Sequence, residues 1–198
     1  MSRTLTLILG GARSGKSGLA QEMARRVGER VLFVATGAAL DEEMKSRIAE
    51  HKRQRPQSWQ TLEASTHVGQ RIGEALGNTE VVIIDCITLL VSNVLLAKHA
   101  DWDTEPGRGD YRETERDVMA EVEGIVSCYR ASKATFIIVS NEVGLGLVPV
   151  HMSGRVYRDL LGKANQYLAR HADEVYFMVA GLPWRLKGPS QEDHNRAG

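Results

Sequence analysis

The chain has 198 residues, 42% of them hydrophobic and 25% charged, proportions typical of one globular domain. Its 25 Lys and Arg residues balance its 25 Asp and Glu residues, so its charge gives no indication of binding to nucleic acid or to an anionic membrane. The N-terminal apolar run is too short for a signal sequence or a membrane span. Cys86 and Cys128 lie inside predicted elements, which favours a reduced, cytoplasmic protein.

Short apolar runs alternate with helical segments along the chain. The runs are continuous and rich in Val, Ile and Phe, as in strands buried on both faces of a parallel sheet. They predict strands at 4–9, 31–36, 81–85, 134–140 and 174–180. Helices are predicted at 16–28, 41–54, 65–77, 87–98, 113–131 and 153–171. This alternation predicts an α/β fold whose sheet is covered by helices on both faces.

Two segments have the composition of irregular structure. Residues 101–111 combine proline, glycine and acidic residues, which predicts an exposed loop. Residues 181–198 turn polar after Leu186 and are expected to be poorly structured towards their end. We therefore expect a single domain over 1–182 and a polar tail over 183–198.

The strongest chemical signal is GGARSGKS at residues 10–17. It fits the pattern G-x-x-x-x-G-K-[ST], directly follows the first predicted strand and leads into a helix, which is the context that a P-loop requires. Its glycines would let the backbone wrap a phosphate closely, Lys16 would approach the β- and γ-phosphates, and Ser17 would bind Mg²⁺. The alternative is a glycine-rich turn that binds nothing.

Asp85 supplies the second feature that a P-loop site needs. It follows four aliphatic residues at the end of a predicted strand, where a carboxylate can hold the metal ion of a bound nucleotide. By itself the position is equally typical of a helix cap. Together with the P-loop it predicts binding of a nucleoside triphosphate with Mg²⁺.

The basic stretch RIAEHKRQRP at residues 47–56 contains one histidine, His51. On a helix, Met44, Ile48, His51 and Arg55 lie within roughly 60° of one another. His51 therefore shares the only apolar stripe of this helix, which argues against a fully solvated side chain. A partly buried histidine satisfied by a neighbour remains the alternative to a functional one.

Several blocks resemble the bifunctional adenosylcobinamide kinase/adenosylcobinamide-phosphate guanylyltransferase family of cobalamin biosynthesis. They are LGGARSGKS, the block from VATG to R-I-x-x-H-[KR]-x-x-R-P, DCITLLVSN, SNEVGLGLVP and, more weakly, FMVAGLP. They occur in the family's order over roughly residues 5–182. The resemblance implies an α/β P-loop NTPase with a RecA-like, mostly parallel central sheet flanked by helices.

The resemblance also implies the chemistry. The family phosphorylates adenosylcobinamide with ATP or GTP, and then transfers GMP from GTP to adenosylcobinamide-phosphate through a guanylyl-histidine, which here is His51. A neutral imidazole is a competent nucleophile at pH 7. The implied nucleotide-binding residues are Gly10, Gly11, Ala12, Arg13, Ser14, Gly15, Lys16, Ser17, Ala35, Thr36, Gly37, Lys52, Arg53, Gln54, Arg55, Glu63 and Asp85. Mg²⁺ would be held by Ser17 and Asp85.

Further expectations concern single residues and assembly. Glu63 could instead be an ordinary surface carboxylate. Asn141 and Glu142 would face the reaction site, with Glu142 either a general base for the kinase step or a residue that fixes its loop. The family implies a homo-oligomer, typically a trimer, with neither a nucleic-acid partner nor a membrane span.

Two other functions are compatible with a P-loop in this sequence. A RecA-like ATPase acting on nucleic acid or a protein partner is disfavoured by the zero net charge and the lack of a basic stripe. A P-loop kinase of another small molecule, in which His51 is structural, fits the P-loop equally well. The R-I-x-x-H and N-E-V-G blocks favour the cobinamide enzyme over it.

Overall fold

The computed structural model describes residues 3–37, 56–98 and 108–189. Within these ranges seven strands form one sheet, in the order β3-β2-β4-β5-β1-β6-β7. They are β1 Leu5–Gly10, β2 Val31–Ala35, β3 Gln60–Glu63, β4 Val81–Asp85, β5 Thr135–Val139, β6 Glu174–Val179 and β7 Leu182–Lys187. All neighbouring strands are parallel except β7, which runs antiparallel to β6.

The central strands are those that the sequence predicts from continuous apolar runs. Every residue of β1, β2 and β5 is buried, because helices cover both faces of the sheet. The edge strands β3 and β7 were not predicted, and most of their residues are exposed. The irregular structure expected for the segment 181–198 is therefore wrong for 182–187, which form a strand paired with β6.

The described helices divide unequally between the two faces. They are α1 Lys16–Val27, α2 Val68–Ala75, α3 Ile87–Lys98, α4 Arg108–Ala131 and α5 Met152–His171. One core contains residues of α1, and the other contains residues of the remaining four helices. The mostly parallel, helix-flanked sheet confirms the predicted fold class. None of these helices is long and apolar enough to cross a membrane.

One helix begins earlier than the sequence predicts. The loop expected at 101–111 is wrong for its last residues, because α4 begins at Arg108. Residues 112–120 are mostly good helix formers. The helix that they form continues towards the N-terminus through Asp110 and begins at Arg108. The helix predicted over 41–54 and the part of the loop at 101–107 lie outside the described residues.

The direction of the connections predicts where a ligand binds. The chain leaves β1 for α1 on one face of the sheet, and it leaves the neighbouring strand β5 for α5 on the other face. In open α/β sheets, ligands occupy the crevice at the carboxyl ends of two such strands. This crevice lies between the GGARSGKS loop and the segment that begins at Ser140.

Candidate active site

Residues 10–17 make a tight turn between β1 and α1. Gly10 has φ 149° and Gly15 has φ 95°, values that favour glycine. A Cβ atom on Gly10 would lie only 2.6 Å from the backbone oxygen of Met178 in β6. On the same side, the N–H of Gly181 donates a hydrogen bond of 3.1 Å to the oxygen of Ser14. The loop is thus packed against the β6–β7 turn and ends at a helix N-terminus, which is suited to phosphate binding.

Lys16, the first residue of α1, is only 7% exposed. Its Nζ donates a hydrogen bond of 2.5 Å to the oxygen of Gly11 and another of 3.4 Å to Oγ of Ser14. Burial lowers the pKa of Lys16, and the acidic groups of Cys86 and Asp85 oppose this shift. A buried ammonium favours a nearby negative charge, and the phosphates of a nucleotide in the loop would supply it.

Predicted site residues from three strands lie in one row at the carboxyl edge of the sheet. Ala35 pairs with Glu63 of β3 on one side and with Asp85 of β4 on the other. Asp85 lies opposite Val139 of β5, and β5 is the neighbour of β1. A single strand therefore separates Asp85 from the P-loop. The influence of the Asp85 carboxylate on the pKa of Lys16 places both groups in one electrostatic site.

The oxygen atoms of Ser17 and Asp85 are donors of the kind that Mg²⁺ prefers. Among the described residues, no cluster of three or more His, Cys, Asp or Glu side chains could hold a metal ion by itself. A magnesium ion at this edge would therefore complete its coordination with water and nucleotide phosphates, as is usual for Mg²⁺ in P-loop proteins. The residues present fit a metal ion that binds together with the nucleotide.

Thr36 ties the end of β2 to the residue after Asp85. Its side chain is fully buried, and Oγ1 donates to the oxygen of Cys86 at 2.6 Å while accepting from the N–H of Cys86 at 2.9 Å. Nδ2 of Asn93 in α3 donates to the oxygens of Thr36 at 2.7 Å and Ser65 at 3.0 Å. The hydroxyl, the N–H and the oxygen of Thr36 are thus all used in joining strand ends, and its predicted contact with the nucleotide stays a prediction.

The segment after β5 is fastened to the P-loop and to α5. The N–H of Glu142 donates to the oxygen of Gly10 at 3.1 Å, and Nδ2 of Asn165 donates to the oxygen of Asn141 at 3.0 Å. Oε1 of Glu142 accepts a hydrogen bond from the N–H of Gly144. This is the loop-fixing role that the sequence left open for Glu142. Its role as a general base stays a prediction.

The predicted nucleophile and the four predicted nucleotide-binding residues after it lie outside the described residues. They are His51, Lys52, Arg53, Gln54 and Arg55. The described part of the site therefore consists of the P-loop, the row at the ends of β2, β3 and β4, and the segment after β5. A phosphate cradle, a buried lysine and a carboxylate at the metal side can together bind and polarise a nucleoside triphosphate.

Residues 6–186 match a family model described as cobinamide kinase / cobinamide phosphate guanyltransferase. The chain belongs to this family. It is 37% identical over 185 residues to the bifunctional adenosylcobalamin biosynthesis protein CobU of Escherichia coli (strain K12), covering 92% of this chain and 99% of that protein. It is 40% identical over 182 residues to CobP of Pseudomonas aeruginosa, covering 92% and 96%. Among solved structures it is similar to flagellar accessory protein FlaH from Methanocaldococcus jannaschii, with a TM-score of 0.48, 18% identity and coverage of 93% and 78%.

Membership of the cobinamide kinase/guanyltransferase family confirms the resemblance and the two activities expected from it. The chain phosphorylates cobinamide and transfers a guanylyl group to the cobinamide phosphate. The alternative of a P-loop kinase without the second activity is not favoured. Both activities use a nucleoside triphosphate, which fits a site built around a single P-loop.

Cys86 is a potential nucleophile inside this cobinamide kinase/guanyltransferase site. Burial of its thiol, and then the charge of Asp85, raise its pKa to about 11. Because only the thiolate is strongly nucleophilic, the protonated thiol is inert near neutral pH. The thiol of Cys86 is therefore not a candidate nucleophile of this site near neutral pH.

The sequence did not reveal the side chains that brace the site. Asn93 and Asn165 join segments that are distant along the chain, and Ser140 Oγ donates to Asn165 Oδ1 at 2.6 Å inside the core. The available signal was an asparagine within an otherwise apolar helix face. Buried amides of this kind are retained only where they are hydrogen-bonded, so Asn165 could have been recognised as a residue with a specific partner.

Proposed function

We propose that this chain carries out both transfers at the same P-loop, and that His51 carries the guanylyl group between them. The observation that best supports this is the geometry around Lys16: a buried ammonium in a phosphate-binding turn, within the electrostatic reach of Asp85. A nucleoside triphosphate bound in one such site can be attacked at either its γ-phosphorus or its α-phosphorus. Which atom reacts then depends on which nucleophile is close by.

In the kinase step, the hydroxyl oxygen of cobinamide attacks the γ-phosphorus of ATP or GTP. The bond from this phosphorus to the bridging oxygen breaks, the nucleoside diphosphate leaves, and the hydroxyl proton passes to a base. Glu142 is our candidate for that base, since its backbone N–H is bonded to Gly10 of the P-loop. Lys16 and the loop N–H groups would neutralise the charge that develops on the phosphate oxygens.

In the guanylyl step, an unprotonated imidazole nitrogen of His51 attacks the α-phosphorus of GTP. A P–N bond forms, the bond to the pyrophosphate oxygen breaks, and pyrophosphate leaves. A phosphate oxygen of cobinamide phosphate then attacks the same phosphorus and the P–N bond breaks, which regenerates the histidine. Arg55 and Lys52 are our candidates for neutralising the α-phosphate, and their charge would help to keep the imidazole unprotonated.

We further propose that Oγ of Ser17 and the carboxylate of Asp85 hold Mg²⁺ when a nucleotide is bound. The ion would offset the charge on the β- and γ-phosphates. Ala35, Gly37 and Glu63 are proposed nucleotide contacts, because they lie at the same sheet edge as Asp85.

A homo-oligomer, trimeric as the resemblance implies, and a cytoplasmic location complete the proposal. Exposed apolar side chains on β7 support the oligomer. Leu182 is 72% exposed, Trp184 is 67% exposed, and alternate residues of a strand share one face. An edge strand that also presents unpaired backbone groups suits contact with another protein chain.

The test uses GTP labelled at the α-phosphate, with Mg²⁺ and without cobinamide. The native chain should acquire a covalent label that is stable to alkali and lost in acid. His51→Ala should acquire no label yet keep ATP-dependent phosphorylation of cobinamide, whereas Lys16→Ala should lose both activities. A His51→Ala variant that still becomes labelled would refute the assignment of the nucleophile.

A further inference from the structure

The segment after β5 exposes an unusual amount of apolar surface. Residues 143–150, VGLGLVPV, contain no charged or hydrogen-bonding side chain; we call them the apolar loop. Leu145 is 82% exposed, Leu147 96%, Val148 68% and Val150 88%. Single exposed aliphatic residues are ordinary, but four within six positions are typical of a surface that binds something.

The apolar loop is held in place by hydrogen bonds from charged residues at both ends. Nη1 of Arg155 donates to the oxygens of Pro149 and Val150, and Nη2 of Arg158 donates to the oxygen of Gly144 at 2.5 Å. At its start, Glu142 accepts a hydrogen bond from the N–H of Gly144. The backbone is thus fixed by α5, and Val143 packs against the core. The four exposed aliphatic side chains that follow Val143 are therefore a built feature of the fold.

The position of the apolar loop ties it to the reaction site. Glu142, the residue before it, is hydrogen-bonded through its N–H to the oxygen of Gly10 at 3.1 Å. Leu145 is three residues farther along, so its Cα lies within roughly 11 Å of that of Glu142 even if the chain were fully extended. The loop also borders the crevice between the carboxyl ends of β1 and β5, where α/β sheets of this topology bind ligands.

The chemistry of the substrate matches this surface. The hydroxyl of cobinamide must approach the γ-phosphorus at the P-loop, so the rest of this large molecule has to lie on the surface next to that loop. A corrin ring carries many methyl groups and uncharged amides at its edge. An uncharged aliphatic surface beside the P-loop can bury those methyl groups without stripping water from any charged side chain.

Other surfaces of the described residues fit the corrin ring less well. Trp59 is only 8% exposed and packs beneath Arg25, near the end of α1 that is distant from the P-loop. The cavity of about 420 Å³ between α2, α3 and α4 is lined by charged Lys98, Asp117 and Glu121. Its lining residues Thr66 and His67 follow β3, an edge strand that three other strands separate from β1.

We propose that the apolar loop is the binding surface for the corrin ring of cobinamide and of cobinamide phosphate. The proposal rests on the proposed function in one respect, namely that the triphosphate occupies the P-loop beside it. Leu145 and Leu147 would make the main contacts with the ring, while the hydroxyl or phosphate of the substrate reaches the nucleotide.

The test is Leu147→Asp, with Leu147→Met as its matched control. Leu147 is 96% exposed, so neither change should disturb the core. With aspartate, the KM for cobinamide in the ATP-dependent kinase reaction should rise about tenfold or more. The free energy gained by burying roughly half of a leucine side chain corresponds to about a tenfold change in affinity. The KM for ATP should not change, and methionine should restore the native KM for cobinamide.

A second variant, Leu182→Asp in β7, tests whether the apolar loop binds the corrin ring or contacts another copy of the chain. The mass of each variant is measured by light scattering. Leu147→Asp should keep the native mass, whereas Leu182→Asp should lower the mass and leave the apolar loop intact. If Leu147→Asp lowered the mass and kept the native KM for cobinamide, the apolar loop would be an interface between copies and the proposal would be wrong. An unchanged mass with an unchanged KM would overturn it equally.

Labelling of each variant by GTP in the absence of cobinamide distinguishes failure of this proposal from failure of the histidine mechanism. Leu147→Asp should be labelled as fast as the native chain, because no corrinoid takes part. A native chain that acquires no label would refute the guanylyl-histidine but leave the prediction for the KM of cobinamide untouched.

Discussion

Replacing Asn93 with leucine removes the side chain that holds the ends of β2 and β3 together. The amide nitrogen donates to the oxygen of Thr36 at 2.7 Å and to that of Ser65 at 3.0 Å. Leucine has the same number of side-chain heavy atoms, branched at the same carbon, so the change removes both donors while keeping the shape of the side chain. Each hydrogen bond contributes about 0.5–1.5 kcal/mol net, so the free energy of unfolding should fall by about 1–3 kcal/mol.

Urea denaturation measures that loss, and steady-state kinetics measure its effect on the site. The KM for GTP should rise, because Thr36 lies between Ala35 and Gly37, which are proposed nucleotide contacts. Ser92→Ala, at the preceding position of α3, is the control and should change the free energy of unfolding by less than about 0.5 kcal/mol. The reasoning is refuted if Asn93→Leu matches Ser92→Ala in both stability and KM.

Two other predictions follow from the geometry of the site. Gly10→Ala should lower both activities by at least about tenfold, because the new Cβ would lie 2.6 Å from the oxygen of Met178 and the φ of Gly10 is 149°. The control is Gly18→Ala in α1, where the new Cβ would meet nothing within 4 Å. This variant should keep both activities within about twofold of the native values. In a Cys128→Ser background, Cys86 should react with iodoacetamide at pH 8 about 100-fold more slowly in the native chain than in urea, since its pKa is raised from 9.0 to about 11. Equal alkylation rates in the native chain and in urea would contradict the burial of this thiol. Because the pKa of Cys86 is higher in the folded state than in the unfolded state, the contribution of this thiol to the free energy of unfolding should decline as the pH rises from about 9 to 11.

The parts of the fold that could be predicted are the strands and helices whose residues form a recognisable local sequence pattern. β1, β2, β4 and β5 are continuous apolar runs because both their faces are covered. β6 is mostly apolar but only partly buried, and the predicted strands overlap all five. β3 and β7 lie at the edges of the sheet, where exposed faces allow polar residues and a proline, so the pattern is lost. The position of an edge strand depends on its partner, which a single sequence does not specify.

The same distinction holds for the site. The P-loop is a contiguous motif, so Gly10, Lys16 and Ser17 could be recognised together with their structural context. Bracing contacts join residues far apart in sequence: the partners Thr36 and Cys86 are 50 positions apart, and Asn93 and Thr36 are 57 apart. No local pattern encodes such a pair, because it arises only when the strand order brings the ends of β2 and β4 together.

The apolar loop shows a third limit. Its sequence, VGLGLVPV, overlaps the block SNEVGLGLVP that resembles the family. Whether its valines and leucines are core or surface depends on the direction in which the backbone leaves β5. Only the structure reveals that four of them are exposed, in a loop that begins one residue after the hydrogen bond from Glu142 to Gly10.

The most direct test of the two-step account is to locate the guanylyl group on the labelled chain. Trypsin should release His51 in the peptide IAEHK, residues 48–52, which follows Arg47 and ends at Lys52. After incubation with GTP and Mg²⁺, mass spectrometry at alkaline pH should find one guanylyl group on this peptide, and added cobinamide phosphate should remove it. A guanylyl group on any other peptide, or one that persists when cobinamide phosphate is added, would contradict the account.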